Sequence, residues 1–321
     1  MNKTTKTWLI TAASLAVAGL ILFVGSMVAY DWDFTNLGTV KYETNTYEVS
    51  GSFDRITIDV DTTKIEFAPS HDGRCSVVCL EAENVRHSAA VQNGTLAIDT
   101  VDTRKWYDHI GIFLGSPKIT VFLPQNEYAS LFIETDTGDI AIPKDFAFEE
   151  LTIKGDTADV ECSASVSNVM EIKLSTGDIR VDGASAGRIR LITKTGGIHV
   201  KSVVSEGNID IETDTGDVKL TDTTCADLTA ESDTGTISLK NVVAAGNFSI
   251  ESDTGDVRFE NSDAAQISVK TDTGDVTGTL LSDKVFITGT STGHVSVPKT
   301  VTGGKCEITT STGDIGIDIT S

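Results

Sequence analysis

The sequence predicts an all-β protein: a single-stranded β-solenoid of about ten 19–20-residue coils, with an irregular β cap and one N-terminal transmembrane helix. Three observations carry this expectation. A Thr-Gly-Asp mark returns every 19 or 20 residues through the C-terminal part of the chain. Apolar residues two apart flank each mark, and two is the period of a strand. A long uncharged run sits near the N-terminus.

That run, Trp8 to Tyr30, holds 23 residues without a charge, with Lys3 and Lys6 before it and Asp31 and Asp33 after it. As a helix it would extend about 35 Å, enough for a hydrocarbon layer of roughly 30 Å. Cations before and acids after place the N-terminus in the cytosol and the remainder outside. Ala16-Val17-Ala18 lies in the middle of the run, so an uncleaved anchor over residues 1–30 is expected rather than a signal peptide. Tyr30 and Trp32 fit the outer membrane interface.

Residues 31–50 are polar and weakly periodic, and they read as a tether. From 51 to 130 alternation resumes without the long period, at Phe53–Val60, Lys64–Phe67, Cys75–Leu80, Thr95–Ile98 and Lys118–Leu123. Such β-structure suits a cap over the first coil, whose backbone edge and core would otherwise be open. Within it, Lys105–Leu114 gathers scarce aromatics, and Trp106 and Tyr107 are the candidates for an exposed contact loop. A hairpin packing Ile110, Ile112 and Leu114 on the cap is the ordinary alternative.

The solenoid is expected over 131–321. Its marks are Gly138, Gly177, Gly196, Gly216, Gly235, Gly255, Gly274, Gly293 and Gly313, with Ala158 in the remaining slot. Such regularity means one supersecondary unit stacked on itself. Glycine permits a tight corner with φ > 0, and the neighbouring Asp can bond backbone N–H groups. The Thr before each mark is expected to bond the next coil through its hydroxyl. The final coil runs to Ser321, so Asp314 and Asp318 are expected to blunt that end unless something stacks on it.

Two acidic rows follow from the register. Asp136, Asp156, Asp214, Asp233, Asp253 and Asp272 precede the Thr, and Asp139, Asp159, Asp178, Asp217, Asp256, Asp275 and Asp314 follow the mark; the calcium candidates are Asp136, Asp139, Asp214, Asp217, Asp253, Asp256, Asp272 and Asp275. Stacked about 5 Å apart, like charges repel by roughly 1 kcal/mol per pair in water. Turn hydrogen bonds or bound Ca²⁺, which takes six to eight oxygens, could offset this. Structural corners are the preferred reading; no cofactor is expected, with calcium as the alternative.

The pattern resembles the bacterial putative-adhesin family known as the toast-rack domain of unknown function. The features that carry the likeness are Leu123-Pro124, Ser130–Thr135 and the serial Thr-Gly-Asp turns, and they cover most of 51–321. The resemblance implies a cell-surface or envelope-associated β-solenoid, in some relatives linked to envelope-stress signalling, and it brings no catalytic residues.

Function follows from these readings. With 47 acidic against 25 basic side chains and a net charge of −22, a nucleic-acid partner is excluded on counterion grounds. Cations, cationic peptides, basic proteins or cell-envelope partners suit the field better. A polysaccharide-cleaving β-helix would need irregular clusters of acids and bases, whereas these acids follow the lattice, so no enzyme is expected. His199 and His294 lie five coils apart, too far to share a zinc. The five cysteines cannot all pair within one chain and fall at apolar positions, so buried thiols acting as small hydrophobes are expected.

Overall fold

The computed structural model describes residues 3–29, 40–105 and 115–320. Trp106, Tyr107, Tyr30 and Trp32 lie outside the described residues, and with them the contact loop and the interface aromatics. The N-terminal run forms helix α1, Lys3–Ala29, whose most apolar 18-residue stretch has a mean hydropathy of 2.2. It is apolar on every side, with Trp8, Leu15 and Leu22 each about 70% exposed to whatever surrounds the helix. A helix of 27 residues spans about 40 Å, long enough to cross a membrane.

Everything else described that is regular is strand. The first strands are β1 (Tyr42–Glu48), β2 (Arg55–Thr62), β3 (Lys64–Pro69), β4 (Ser76–Ala82), β5 (Val85–Gln92), β6 (Thr95–Asp102), β7 (Lys118–Leu123), β8 (Glu127–Thr137) and β9 (Ile140–Ile142). The tether expected over 31–50 is in part β1, which pairs antiparallel with β4 from Tyr42↔Ala82 to Glu48↔Ser76. Its apolar content is too thin to signal a strand; Tyr47 and nearby Val49 are what it packs on the core.

From β8 onward the chain climbs as parallel, in-register coils. Leu131 stacks on Leu151 and Ile133 on Ile153, then Leu151 on Met170 and Ile153 on Ile172. The inward Ile or Val two after each mark is at most 1% exposed from Ile140 through Val276 and again at Ile315. The core is one continuous column that runs into the cap. The spacing-of-two pattern therefore reports burial faithfully, because alternate residues of a strand face opposite sides.

The stack reaches back past residue 131. β2 pairs parallel with β8, Ile56 on Leu131 and Ile58 on Ile133, and β3 pairs with β9 through Ile65 on Ile140. Asp61-Thr62-Thr63-Lys64-Ile65 thus occupies the place of a Thr-Gly-Asp corner with threonine in the glycine slot. β6 and β7 add one more layer, parallel to β2 and β3. The antiparallel strands β4, β5 and β1 then close that end, β4 against β7 and β5 against β6.

At the far end sequence order and spatial order part. Strand Gly304–Thr312 pairs with the strand Val257–Thr273, Ile308 against Val269. Strand Lys284–Thr292 then pairs with Gly304–Thr312. The last coil in sequence is therefore inserted between its two predecessors, and the tip of the rod is the coil at 284–296. The expectation that Asp314 and Asp318 terminate the rod is corrected: they belong to the penultimate layer.

All five cysteines are buried and unpaired, as expected. Burial pushes the thiols of Cys75, Cys79, Cys162, Cys225 and Cys306 up to about 12. Thiolate is the reactive form, so these sulfurs are inert in the folded chain. Maleimide treatment of the native protein at pH 8 is expected to leave every thiol unmodified, and denaturant should expose all five. Fast labelling without denaturant would contradict the packing.

Candidate functional site: the acidic corner and the capped end

The corner is built by close backbone approach. At Gly196 φ is +149°, and a Cβ there would lie 2.0 Å from the Gly177 carbonyl oxygen; Gly235 repeats this against Gly216. Below the tip, each mark glycine N–H in turn donates to a threonine carbonyl of the next coil, as in Gly196 N to Thr215 O at 2.9 Å. Glycine is required here for φ and for space together.

The two acidic rows have different fates. Every Asp after a mark accepts a backbone N–H from the adjacent coil through Oδ1. Asp159 binds Asp178 N, Asp178 binds Gly197 N, Asp217 binds Thr236 N, and Asp256 binds Asp275 N, all at 2.8–2.9 Å. Asp275 serves Asp314 N at 2.8 Å, Asp314 serves His294 N at 2.7 Å, and Asp139 reaches Asp159 N at 3.4 Å. Carboxylate-to-amide bonds of this kind are charge-assisted and hold successive corners in register.

The row before the Thr does no such work. Asp136, Asp214, Asp233, Asp253 and Asp272 are exposed. Two residues earlier stand Glu212, Glu231 and Glu251, in direct register across three coils. Partial burial pushes the Glu231 carboxyl above its ordinary range, reinforced by the charges of Glu212, Glu251, Asp233 and Asp253. The result is an outward grid of like charges at strand spacing.

The hydroxyl ladder lies one step further in than expected. The Thr before each mark is exposed, and its carbonyl rather than its hydroxyl bonds the stack. The residue three before the mark is buried instead. Thr193 Oγ1 donates to Gly177 O at 3.0 Å, Thr213 to Gly196 O at 3.1 Å, and Ser232 Oγ to Gly216 O at 3.2 Å. Its signal was in the sequence, since Thr or Ser fills that slot in all coils but those at Gly155 and Leu174. There Leu174 and the Ala158 methyl fill the space that Gly155 leaves, 3.1 and 3.3 Å from where its Cβ would be.

The cap holds a polar cluster that spacing did not announce. Glu81 is 1% exposed and His87 4%. Glu81 Oε1 accepts from Tyr47 Oη at 2.6 Å and Asn45 Nδ2 at 2.7 Å. Its Oε2 accepts from His87 N at 2.7 Å and lies 2.8 Å from His87 Nδ1, while His87 Nε2 is 3.3 Å from Thr63 Oγ1. Burial alone would raise the Glu81 pKa, but the bonds from Tyr47, Asn45 and His87 together hold it below the ordinary carboxylate range. Desolvation first, then the bond to Glu81, drives the Tyr47 phenol the other way, well above its usual value. Cys79, Glu81 and His87 bring ligand atoms within 4.8 Å of one another. A cation there would have to displace four donors already satisfied by Glu81, so the set fits a closed hydrogen-bond cluster better than a metal centre. Beside it opens a cavity of about 450 Å³, lined among others by Lys41, Tyr42, Thr63, His87 and Thr100.

The sequence profile of the Toastrack DUF4097 family matches residues 53–226 and 205–321. These two stretches take in the solenoid and all of the cap after β1. The chain belongs to the Toastrack family. Among solved structures, a Toastrack chain of this kind is similar to a putative adhesin from Parabacteroides distasonis, at 13% identity and TM-score 0.46, covering 87% of this chain and 98% of that one. A putative adhesin from Bacteroides fragilis is 15% identical with TM-score 0.37, over 87% and 97% of the two chains. A putative lipid binding protein from Parabacteroides distasonis is 19% identical with TM-score 0.34, over 75% and 98%. No curated protein matches the sequence.

In this Toastrack chain the predicted corner residues do come together on one edge, in two files. The file after the mark is committed to the backbone and the file before it faces solvent. The capped-end cluster was out of reach of a sequence reading because Tyr47, Glu81, His87 and Thr63 sit on four different strands or corners, and pairing alone unites them.

Proposed function

We propose that this chain is a membrane-anchored, non-catalytic rod of the cell envelope, an adhesin or scaffold that holds cationic partners against its acidic corner face. The observation that carries the reading is the exposed grid Glu212, Asp214, Glu231, Asp233, Glu251 and Asp253, whose carboxylates crowd one another around Glu231 and are met by one cation of the next coil, Lys270 on Glu251. Helix α1 is long and apolar enough to cross a membrane, and Lys3 and Lys6 before it with Asp31 and Asp33 after it support an orientation that leaves the solenoid outside the cell. Against catalysis stands the burial of the carboxylate–imidazole–hydroxyl chain found among the described residues, whose Glu81 is saturated by structural donors.

The test is binding of an oligolysine peptide to the full-length chain in detergent at moderate salt. Changing Asp214, Asp233 and Asp253 together to Asn should weaken binding about tenfold, a coupling of roughly 1.4 kcal/mol. The same loss of charge at Glu127, Glu149 and Glu150 should have little effect. Equal losses from both sets would reduce the face to net charge alone.

Calcium at the corner is the second reading, favoured by the mutual repulsion around Glu231. It would draw on Asp136, Asp214, Asp253 and Asp272, because Asp139, Asp217, Asp256 and Asp275 already spend an oxygen on amides. Thermal unfolding of the full chain in calcium, then in chelator, should show a midpoint shift of several degrees if the ion binds. An unchanged midpoint would leave the corner purely structural.

A further inference from the structure

The tip coil at 284–296 departs from every other coil in three ways. Val295 occupies the core position two after its mark, yet it is 45% exposed, where its counterparts are sealed. Strand Lys284–Thr292 pairs with Gly304–Thr312 on one side, and among the described residues its other edge meets no strand. Val285 and Ile287 are 38% and 50% exposed at outward positions that carry Lys305 and Glu307 in the coil beneath. Phe286 between them packs on the core above Cys306, so Val285 and Ile287 make an outward apolar pair where the coil beneath carries polar residues.

Charge departs in the same place. The chain carries 47 acids, but none falls between Asp283 and Glu307. Ser291 and His294 replace the two corner acids, and Gly289 stands where Glu212, Glu231 and Glu251 stand in their coils. Lys284 is buried and paired with Asp263 at 2.6 Å, so its charge is spent inside the rod. The exchange of order at this end puts the acid-free coil outermost, over Gly304–Thr312 and over Ile315 and Gly316, with Asp314 and Asp318 exposed at the side of the layer beneath.

We infer that the tip is a contact surface for the tip of a second copy. Two rods of net charge −22 repel along their lengths, and the tip is where that repulsion is weakest. An open strand edge is self-complementary: two copies related by a twofold axis pair it antiparallel, each Val285 and Ile287 facing the other's. The opposite end of each rod is the antiparallel cap of β1, β4 and β5, and a twofold pairing of tips uses up the edge it joins, so association stops at two instead of running on as a fibre. A cationic partner would be drawn to the acidic face and not here. The footprint is small, about 25–30 Å of strand by one coil width, well under the ~800 Å² per partner of a stable interface. A single contact is therefore weak and gains strength by repetition across a surface. Resting on the anchored-rod reading, tip-to-tip pairing sets the two anchors at opposite ends, so it joins two membranes rather than neighbours in one.

The experiment uses the full-length chain in detergent with Ile287→Cys and a short bis-maleimide, the native thiols being buried. Val243→Cys and Val204→Cys, exposed along the rod, are the controls. The pairing predicts about tenfold more covalent dimer for I287C than for either control, from the raised effective concentration at a contact. Adding Val285→Lys and Val295→Lys should return it to the control level with an unchanged circular dichroism spectrum. No excess of dimer for I287C overturns the inference. Vesicles carrying the wild-type chain should also clump, and those with V285K/V295K should not. Cross-linking without clumping would keep the tip contact and refute the bridging of membranes, which separates this inference from the anchored-rod reading.

Discussion

Gly196→Ala is expected to destabilise the middle of the solenoid by roughly 3–5 kcal/mol. Two costs combine. A φ of +149° is one that alanine avoids, and the new methyl would sit 2.0 Å from the Gly177 carbonyl oxygen. That oxygen belongs to a neighbouring coil and also accepts from Thr193 Oγ1. The coil must move away to relieve the collision, and it then loses the Thr193 bond and the Asp178-to-Gly197 bond together. Because each coil contacts only its neighbours, the damage should be local. Hydrogen exchange should rise for residues 176–198 and their partners at 209–218 while the cap stays protected. Protection unchanged at the mutated corner would show that the glycine is dispensable.

Glu81→Gln is expected to cost the cap about 3 kcal/mol at neutral pH. The carboxylate accepts from four donors, and an amide NH₂ can accept from none of those facing it. The pH dependence gives the signature. The folded-state pKa of Glu81 is lowered from 4.5, so its contribution is complete above that value. It is lost as pH falls through the lower, folded value, because protons then bind the unfolded chain more tightly than the folded one. The gap in stability between wild type and variant should be constant from neutral pH down to about 4.5 and close below it. A gap that persists in strong acid would mean that shape, not charge, is what Glu81 supplies. Denaturant unfolding followed by exchange at β1, β4 and β5 measures the cap directly.

Much of this architecture was legible because the repeat is a physical necessity written once per coil. Glycine at φ > 0, Ile or Val two later and Asp beside the mark each answer to one local demand, and their period reveals the stack. Where a coil meets the same demand with other residues, the signal vanishes. Thr62-Thr63 turns a corner without glycine, so β2 and β3 read as cap although they stack beneath β8 and β9. The exchange of order at the tip left no trace either. Coils of equal length and similar core can be layered in either order, and only the apolar Val285 and Ile287 mark which is outermost. At the corner, the sequence located both acidic files but could not tell which carboxylates the backbone consumes. That depends on where an amide of the next coil falls.

The inserted final coil has a mechanical consequence. A simple spiral pulled from its last turn can be undone like a thread from a spool, one ladder at a time. Here the segment 304–316 is clamped on both sides, by 257–280 below and 284–296 above. Tension on the C-terminus must shear two ladders at once, while tension on the tip coil meets a layer that cannot slide away. The rod is thereby locked at this end against unravelling by a pull on either of its last two coils.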